Sequence, residues 1–296
     1  MANLKNIISD RQLASHTLAI RKAVVEMVAR HGQGYVQQGL GASDLFSYLF
    51  FRELRLDSAD PNWPDRDRFF LSTAHNTAVF YATLAERGLI DSSELDTYCE
   101  DGSPYEINAS ERIGKTEGSV IGESLVECTC GSLGQGLSVA AGLALGLRRE
   151  QRPSRVYLML GDGELQEGQV WEAAMFAATM QLSNLTMIID LNYMQVEGDA
   201  RKVAAIDPVD EKLRSFGWHV SSIDGHDMTA IQHSLDEAKQ QHKPSAVLAL
   251  TTPGKGVPFL EGQKSHNMVL PAAAAAKALE HLDSLSASIE SHGTIS

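Results

Sequence analysis

The sequence has few of the residues that would place it in several large classes of protein. Its three cysteines, Cys99, Cys128 and Cys130, cannot make a disulfide framework, and the last two lack a second Cys or His pair at zinc spacing. The N-terminus has no apolar signal-peptide core, and no apolar run is long enough to cross a membrane. These absences favour a reduced, cytoplasmic protein without a membrane segment.

Clusters of basic residues are also absent. The chain has 25 Lys and Arg against 38 Asp and Glu, which gives a formal net charge of −13. Nucleic acids and anionic membranes are bound through positive patches, so neither is an expected partner. With 43% hydrophobic and 21% charged residues over 296 positions, the composition is that of a globular protein with a sizeable core.

Short apolar runs alternate with helical patterns along most of the chain. Apolar runs that end in turn residues predict buried strands at 69–71, 156–160, 185–189, 218–223 and 246–250. Helical periodicity predicts α-helices at 10–30, 42–51, 77–87, 137–150, 165–179, 210–216 and 231–241, and an Ala-rich C-terminal tail helix at about 271–290. The glycine-rich stretch 32–41 is interpreted as a loop. This alternation predicts one α/β domain over 1–296, a doubly wound parallel sheet flanked by helices.

Polar residues follow two of these predicted strands. Gly161, Asp162 and Gly163 come directly after the run at 156–160, and Asn192 follows the next run, thirty residues after Asp162. Right-handed crossovers bring the carboxyl ends of parallel strands to one edge of a sheet, so Asp162 and Asn192 are expected to meet there. A carboxylate and an amide oxygen suit Mg²⁺, which keeps positions open for water and phosphate oxygens. The pattern predicts a divalent-metal and diphosphate site.

Together with the phrases around them, these motifs resemble the transketolase family. The phrases follow one another in order over nearly the whole chain: 20–27, 67–69, 131–137, 161–169, 224–227 and 254–256. The resemblance implies the thiamine diphosphate-binding fold, with thiamine diphosphate and Mg²⁺ (or Ca²⁺ or Mn²⁺) as cofactors. It also implies transfer of a two-carbon ketol unit from a ketose to an aldose.

The resemblance implies roles for individual residues. The metal ligands correspond to Asp162, Asn192 and the backbone carbonyl of Met194. The cofactor contacts correspond to His75, Gly131, Ser132, Leu133, Gly161, Asp162, Gly163, Glu164, Asn192 and His266. The candidate catalytic residues are Tyr35, His75, His266 and Glu167, the last of which matches a glutamate at the subunit interface. Structural alternatives are a core histidine for His75 and a complement to the helix dipole for Glu167.

Two positions depart from the family pattern. Transketolases carry a histidine in the glycine-rich loop after the first helix, where this chain has Tyr35. A second family histidine corresponds to Gly118, and no histidine lies between His75 and His219. Both family histidines face the donor sugar, so their loss favours a non-standard sugar, either phosphorylated or sulfonated. Tyr35 can still donate a hydrogen bond through its hydroxyl.

The resemblance covers only the first part of a transketolase. In that family, a pyrimidine-binding domain further along the chain carries the glutamate that activates the cofactor, and this sequence has no counterpart. The expectation is the N-terminal subunit of a split transketolase, whose partner in an α2β2 heterotetramer is a separate C-terminal subunit. Two alternatives stay open: a non-catalytic transketolase-like subunit, and the α subunit of a decarboxylating 2-oxo acid dehydrogenase.

Overall fold

The computed structural model describes residues 8–113, 125–128, 131–263, 265–266 and 269–292. They group into two compact units, a helical unit and a sheet unit. The helical unit takes the described residues of the ranges 8–54, 75–107 and 252–292, and the sheet unit takes those of 55–74 and 108–251. The expectation of one domain over 1–296 stays a prediction.

The described residues form helices and strands that alternate along the chain. The helices are α1 (Asp10–His31), α2 (Val36–Tyr48), α3 (Thr77–Glu86), α4 (Gln135–Arg149), α5 (Gly168–Thr179), α6 (Ala200–Val203), α7 (Val209–Phe216), α8 (Met228–Lys239) and α9 (Ala272–His292). The strands are β1 (Arg68–Leu71), β2 (Val156–Gly161), β3 (Leu185–Leu191), β4 (Met194–Gln195), β5 (Gly198–Asp199), β6 (His219–Asp224) and β7 (Ser245–Leu250). A π-helical turn at Leu49–Glu53 extends α2, and 3₁₀ turns lie at Ala74–Asn76, Ser92–Thr97 and Gly163–Gln166.

The sheet unit contains a five-stranded parallel sheet with the strand order β1-β2-β3-β7-β6. Every residue of β3 is buried, as expected for a central parallel strand with both faces covered. The edge strand β6 is more exposed: Val220 is its one buried residue, and the others are half-buried or exposed. Side chains of α4 and α5 share one apolar core with β2 and β3, and the indole of Trp218 donates a hydrogen bond to the carbonyl of Ala174 at 2.9 Å. The predicted α/β class, with a parallel sheet flanked by helices, is confirmed.

The helical unit is organised around α1, which packs against α2, α3 and α9. A capping box starts α1: the Gln12 amide donates to the Ser9 hydroxyl, and the Gln12 side chain accepts from the Ser9 amide. A buried ion pair, Arg21 to Asp44 at 2.6 Å, joins α1 to α2. None of the described helices is long and apolar enough to cross a membrane.

The prediction of a loop at 32–41 is wrong over its second half, because α2 already begins at Val36. The glycines in this part of α2 allow close packing. A Cβ on Gly39 would lie 2.9 Å from a methyl of Val24, and one on Gly41 would lie 2.9 Å from the carbonyl oxygen of Thr252. Glycine costs helix stability, but at these positions it lets a helix approach its neighbours closely, which periodicity cannot reveal.

Candidate functional site

The predicted metal ligands follow two neighbouring strands of the sheet unit. Strands β2 and β3 pair in parallel, with Gly161 opposite Asp190. Asp162 is the first residue after β2, and Asn192 is the first residue after β3. Both therefore lie at the carboxyl-end edge of the sheet, where open α/β sheets bind their ligands.

Asp162 is a buried carboxyl group with one unpaired oxygen. Its side chain is 2% exposed, and its Oδ1 accepts a hydrogen bond from the Gly163 amide at 2.7 Å. Its Oδ2 is buried and has no hydrogen-bond partner among the described residues. Burial, and next the charge of Asp190, raise the pKa of Asp162 to about 7, although the amides of Gly163, Tyr193 and Met194 act in the opposite direction. A nearby cation would favour the ionised form of this carboxyl group.

Asn192 is oriented by its neighbours. Its Nδ2 donates to Asp190 Oδ2 at 3.3 Å, and its Oδ1 accepts from the Met194 amide at 2.9 Å. The other oxygen of Asp190 accepts a hydrogen bond from the Thr251 hydroxyl. Asp190 thus fixes which way the Asn192 amide faces, and Asn192 in turn holds the backbone at Met194.

These groups fit a hard divalent cation. The unpaired carboxylate oxygen of Asp162 and the second lone pair of Asn192 Oδ1 are oxygen donors, and Asp190 adds negative charge nearby. No cluster of three or more His, Cys, Asp or Glu side chains suited to a metal lies among the described residues. A set of oxygen ligands with few carboxylates matches Mg²⁺, which takes its remaining ligands from water and phosphate.

The loop at Gly131–Gly136, also in the sheet unit, is held by Glu164. The buried carboxylate of Glu164 accepts hydrogen bonds from the Ser72 hydroxyl, from the Gly134 amide at 2.7 Å and from the Gly161 amide at 3.4 Å. Burial raises the pKa of Glu164, and these three donors partly offset that shift. Both oxygens of Glu164 therefore accept hydrogen bonds from within the protein. Glu164, a predicted cofactor contact, thus also has a structural role.

Close packing explains the glycines of this loop. Gly134 has a left-handed backbone, φ +84°, and a Cβ there would lie 2.8 Å from the Cβ of Glu167. A Cβ on Gly136 would lie 2.3 Å from the Ser72 hydroxyl. Gly131 is left-handed as well, whereas Ser132 is exposed and Leu133 is half-buried. The loop thus follows a path that side chains at Gly134 and Gly136 would block.

Glu167 is exposed and lies at the N-cap position of α5, three residues after Glu164. Its side chain makes no capping hydrogen bond to α5. The interface role implied for Glu167 stays a prediction. Its exposure leaves the carboxylate available to another chain.

The remaining predicted residues lie together in the helical unit. The rings of Tyr35, His75 and His266 meet edge-on, with centroid separations of 4.8 Å for Tyr35–His75, 5.3 Å for Tyr35–His266 and 4.3 Å for His75–His266. The Gln38 side chain on α2 donates a hydrogen bond to the His266 carbonyl at 2.8 Å. The fold brings these residues from three separate segments into one aromatic cluster. The position of the second family histidine, Gly118, lies outside the described residues.

Two members of this aromatic cluster are neutral at physiological pH. Burial, together with the proximity of His266, lowers the pKa of His75 to about 4. Burial raises the pKa of Tyr35 above its usual value near 10. His75 therefore has one N–H donor and one acceptor nitrogen at neutral pH, and Tyr35 keeps its hydroxyl proton.

The low pKa of His75 predicts a loss of stability in mild acid. Between pH 6.5 and about 4 the unfolded chain binds the extra proton and the folded chain does not, so stability is full above pH 6.5 and falls as the pH drops towards 4. From pH 7.5 to pH 5 this group accounts for about 2 kcal/mol of the free energy of unfolding. Urea unfolding at several pH values should show that His75→Gln removes this part of the acid sensitivity.

The control for this measurement is His233→Gln, whose imidazole is 75% exposed on α8. It should leave the pH profile of the wild-type chain unchanged. Equal acid sensitivity in His75→Gln and the wild-type chain would contradict the lowered pKa.

Sequence reasoning missed several residues that shape the candidate site. Asp190 was a detectable signal, because it is a lone carboxylate in an otherwise apolar run that leads to Asn192. Ser72 and Arg201 gave no comparable signal. Ser72 acts on Glu164 from 92 residues away, and Arg201 stacks on the ring of Tyr193.

Comparisons with known proteins agree with the geometry. A family model described as "Transketolase, thiamine diphosphate binding domain" matches residues 12–283. The chain is 40% identical over 253 residues to the 6-deoxy-6-sulfo-D-fructose transketolase subunit SqwG of Clostridium sp. (strain MSTE9), covering 85% of this chain and 89% of that protein. It is 34% identical to an apulose-4-phosphate transketolase subunit of Actinobacillus succinogenes, covering 89% of this chain and 93% of that protein.

The fold of this chain is also similar to that of a solved transketolase. The transketolase of Campylobacter jejuni superimposes with a TM-score of 0.83 at 30% identity, and the match covers 93% of this chain. This chain spans only 43% of that transketolase. The chain therefore belongs to the transketolase family, in which it corresponds to the thiamine diphosphate-binding domain.

Proposed function

We propose that this chain is the cofactor-holding subunit of a two-chain transketolase that acts on a non-standard ketose. The observation that carries the proposal is the buried, unpaired Oδ2 of Asp162, which lies beside Asp190 at the carboxyl-end edge of a parallel sheet. A buried acceptor of this kind is costly unless a ligand satisfies it. The family match explains why such a cost is retained in this chain.

In this proposal, Asp162, Asn192 and the carbonyl of Met194 hold Mg²⁺, and the metal binds the diphosphate of thiamine diphosphate. Gly163 is the first residue of the 3₁₀ turn at Gly163–Gln166. A Cβ on Gly163 would lie 3.1 Å from the Cβ of Gln195, so glycine leaves the backbone at this position uncrowded. Gly161 and the backbone of Gly131–Leu133 complete the cofactor contacts. Glu164, which was predicted as a cofactor contact, would act on the cofactor through the loop that it holds at Gly134.

The chemistry that thiamine diphosphate supplies when bound is a carbon nucleophile that can add to a ketose carbonyl. The residues of this chain would bind and orient the groups around that reaction. Neutral His75 can accept a proton from one hydroxyl and donate one to another without a change in net charge. Tyr35 can donate a hydrogen bond but keeps its proton, and His266 shares the cluster with both.

The substrate class is proposed from two features. Tyr35 stands where the family has a histidine, which changes the polar groups near the sugar. Two relatives that match nearly end to end are named for 6-deoxy-6-sulfo-D-fructose and for apulose 4-phosphate. We infer a ketose donor with a sulfonate or phosphate group, in preference to the two alternatives of a 2-oxo acid or no substrate at all.

A second chain is part of the proposal. Relatives of similar length are named as subunits, and this chain spans under half of the solved transketolase. We propose a partner with the pyrimidine-binding part, Glu167 at the interface, and an α2β2 assembly. The free thiol at Cys99 is consistent with a cytoplasmic enzyme.

Cofactor binding is tested by thermal unfolding of the full chain, alone and with its partner. Thiamine diphosphate with Mg²⁺ at about one hundred times the dissociation constant should stabilise the folded state by about 2.7 kcal/mol and raise the Tm by roughly 5 °C. Excess EDTA should reverse the rise. A Tm that ignores both ligands, with and without the partner, would contradict the proposed function.

Turnover is tested on the two-chain complex with a panel of ketose phosphates, ketose sulfonates and 2-oxo acids. Ketol transfer to an aldose from a phosphorylated or sulfonated ketose is the expected result. Cofactor binding without any turnover would instead identify a non-catalytic subunit, and consumption of a 2-oxo acid would identify a dehydrogenase subunit.

A further inference from the structure

Tyr193 has an unusual backbone conformation and lies between two of the proposed metal ligands. These ligands are Asn192 and Met194, and the φ of Tyr193 is +54°, in the left-handed region that side chains rarely adopt. The three other described non-glycine residues in this region, Cys99, Gln151 and Gln181, follow the ends of helices or 3₁₀ turns, where a left-handed residue is common. Tyr193 follows a strand, so its conformation needs another cause.

Arg201 covers the ring of Tyr193. The guanidinium carbon lies 4.3 Å from the ring centroid, a close cation–π contact. The same guanidinium donates two hydrogen bonds to the carboxylate of Asp199, from Nε at 2.9 Å and from a terminal nitrogen at 2.8 Å. This two-point contact fixes the plane of the guanidinium over the ring.

The backbone closes around the same contact. The Ala200 amide donates to the Tyr193 carbonyl at 3.0 Å, and Met194 pairs with Asp199 in the β4–β5 hairpin. Asp199 also accepts a hydrogen bond from the Arg201 amide at 3.1 Å, which caps α6. Residues 193–201 thus form a closed loop, with the stacked Tyr193 and Arg201 side chains at its two ends.

We propose that Arg201, held by Asp199, is a positioning residue that clamps Tyr193 in its left-handed conformation. Rotation about φ of Tyr193 would change the direction of the Met194 carbonyl relative to the oxygens of Asn192 and Asp162. Arg201 would therefore set the metal affinity without touching the metal. This inference rests on the proposed function, because it assigns the clamp to the proposed Mg²⁺ site.

The test measures Mn²⁺ binding to the full chain in the presence of thiamine diphosphate, by electron paramagnetic resonance, for four forms of the protein. Arg201→Ala should weaken Mn²⁺ binding about tenfold, because only a fraction of the molecules would hold the competent loop. Glycine adopts a left-handed backbone without help, so Tyr193→Gly should stay within about threefold of the wild-type chain. In the double variant, Arg201→Ala should add no further loss, which is the signature of coupling between the two residues.

Two further variants sharpen the test. Arg201→Lys keeps the charge over the ring but loses the two-point contact with Asp199, so it should lie between the wild-type chain and Arg201→Ala. Arg152→Ala is the matched control, since Arg152 is a part-exposed arginine with ion pairs to Asp65 and Glu150 before the start of β2. It should bind Mn²⁺ as the wild-type chain does.

The possible failures can be told apart. A wild-type chain that binds no Mn²⁺, even with its partner present, would overturn the proposed function itself. Unchanged Mn²⁺ binding in Arg201→Ala, with a normal wild-type value, would overturn only the clamp. A tenfold loss from Arg201→Ala that persists in the Tyr193→Gly background would also overturn it, because Arg201 would then act through something other than the backbone of Tyr193.

Discussion

Replacement of Asp162 by asparagine is expected to abolish the stabilisation by thiamine diphosphate and Mg²⁺ while making the ligand-free chain more stable. The carboxylate is the charged ligand in the proposed metal site, and its loss should lower divalent-cation affinity by about 100-fold or more, on the order of 3 kcal/mol. Without the metal, the diphosphate loses its main point of attachment on this chain. The Tm rise caused by the cofactor should therefore disappear.

The gain in stability of the ligand-free Asp162→Asn chain has a separate cause. The substitution keeps the shape of the side chain and the acceptor for the Gly163 amide, but it removes a buried charge that faces Asp190. Relief of this repulsion should stabilise the ligand-free chain by about 1–3 kcal/mol.

Thermal unfolding with and without the two ligands separates these two effects. Asp236→Asn is the control, because Asp236 is a half-exposed carboxylate on α8 that pairs with Lys239. It should keep the full cofactor response. A ligand-free Asp162→Asn chain that is less stable than the wild-type chain would mean that Asp162 is a structural acceptor rather than a ligand held ready for a cation.

Replacement of Glu164 by alanine should cause the largest loss of stability among these variants. It leaves three donors in the sheet unit without their acceptor: the Ser72 hydroxyl and the amides of Gly134 and Gly161. Each buried donor left unpaired costs about 1–3 kcal/mol, so the three together should lower the free energy of unfolding by at least about 3 kcal/mol. The loop at Gly131–Gly136 should also exchange its amide hydrogens faster.

Glu164→Gln provides the graded comparison, because it keeps one carbonyl oxygen for Ser72 and Gly134 but turns an N–H₂ group towards the Gly161 amide. Its cost should be about 1–2 kcal/mol in urea unfolding. Glu172→Gln, an exposed carboxylate on α5, should change stability by less than about 0.5 kcal/mol. Full stability in Glu164→Ala would show that the loop does not depend on these hydrogen bonds.

Much of the fold was predictable because its signals are local. The apolar runs that became β2 and β3 are continuous, since central parallel strands are buried on both faces. Their ends are marked by Gly161 and Asn192, so the sequence alone indicates which edge of the sheet carries the proposed metal site. The helical glycines of α2 predict a loop instead, because a glycine needed for close packing looks the same in sequence as a glycine in a loop.

The parts of the candidate site that could not be predicted depend on residues far apart in the chain. The partners of Glu164 lie 3, 30 and 92 residues away, at Gly161, Gly134 and Ser72. The low pKa of His75 arises from burial and from His266, which lies 191 residues further along the chain. No periodicity connects such positions.

By itself, the sequence determined the α/β fold, the family, and the two residues, Asp162 and Asn192, that end neighbouring strands. Composition, apolar runs and motif spacing carry that information, because each is read within one segment. Only the tertiary structure decided the unpaired oxygen of Asp162, the neutral state of His75 and the contact of Arg201 with Tyr193. Burial, desolvation and backbone conformation arise from the packing of separate segments, and these decide how the predicted residues are held.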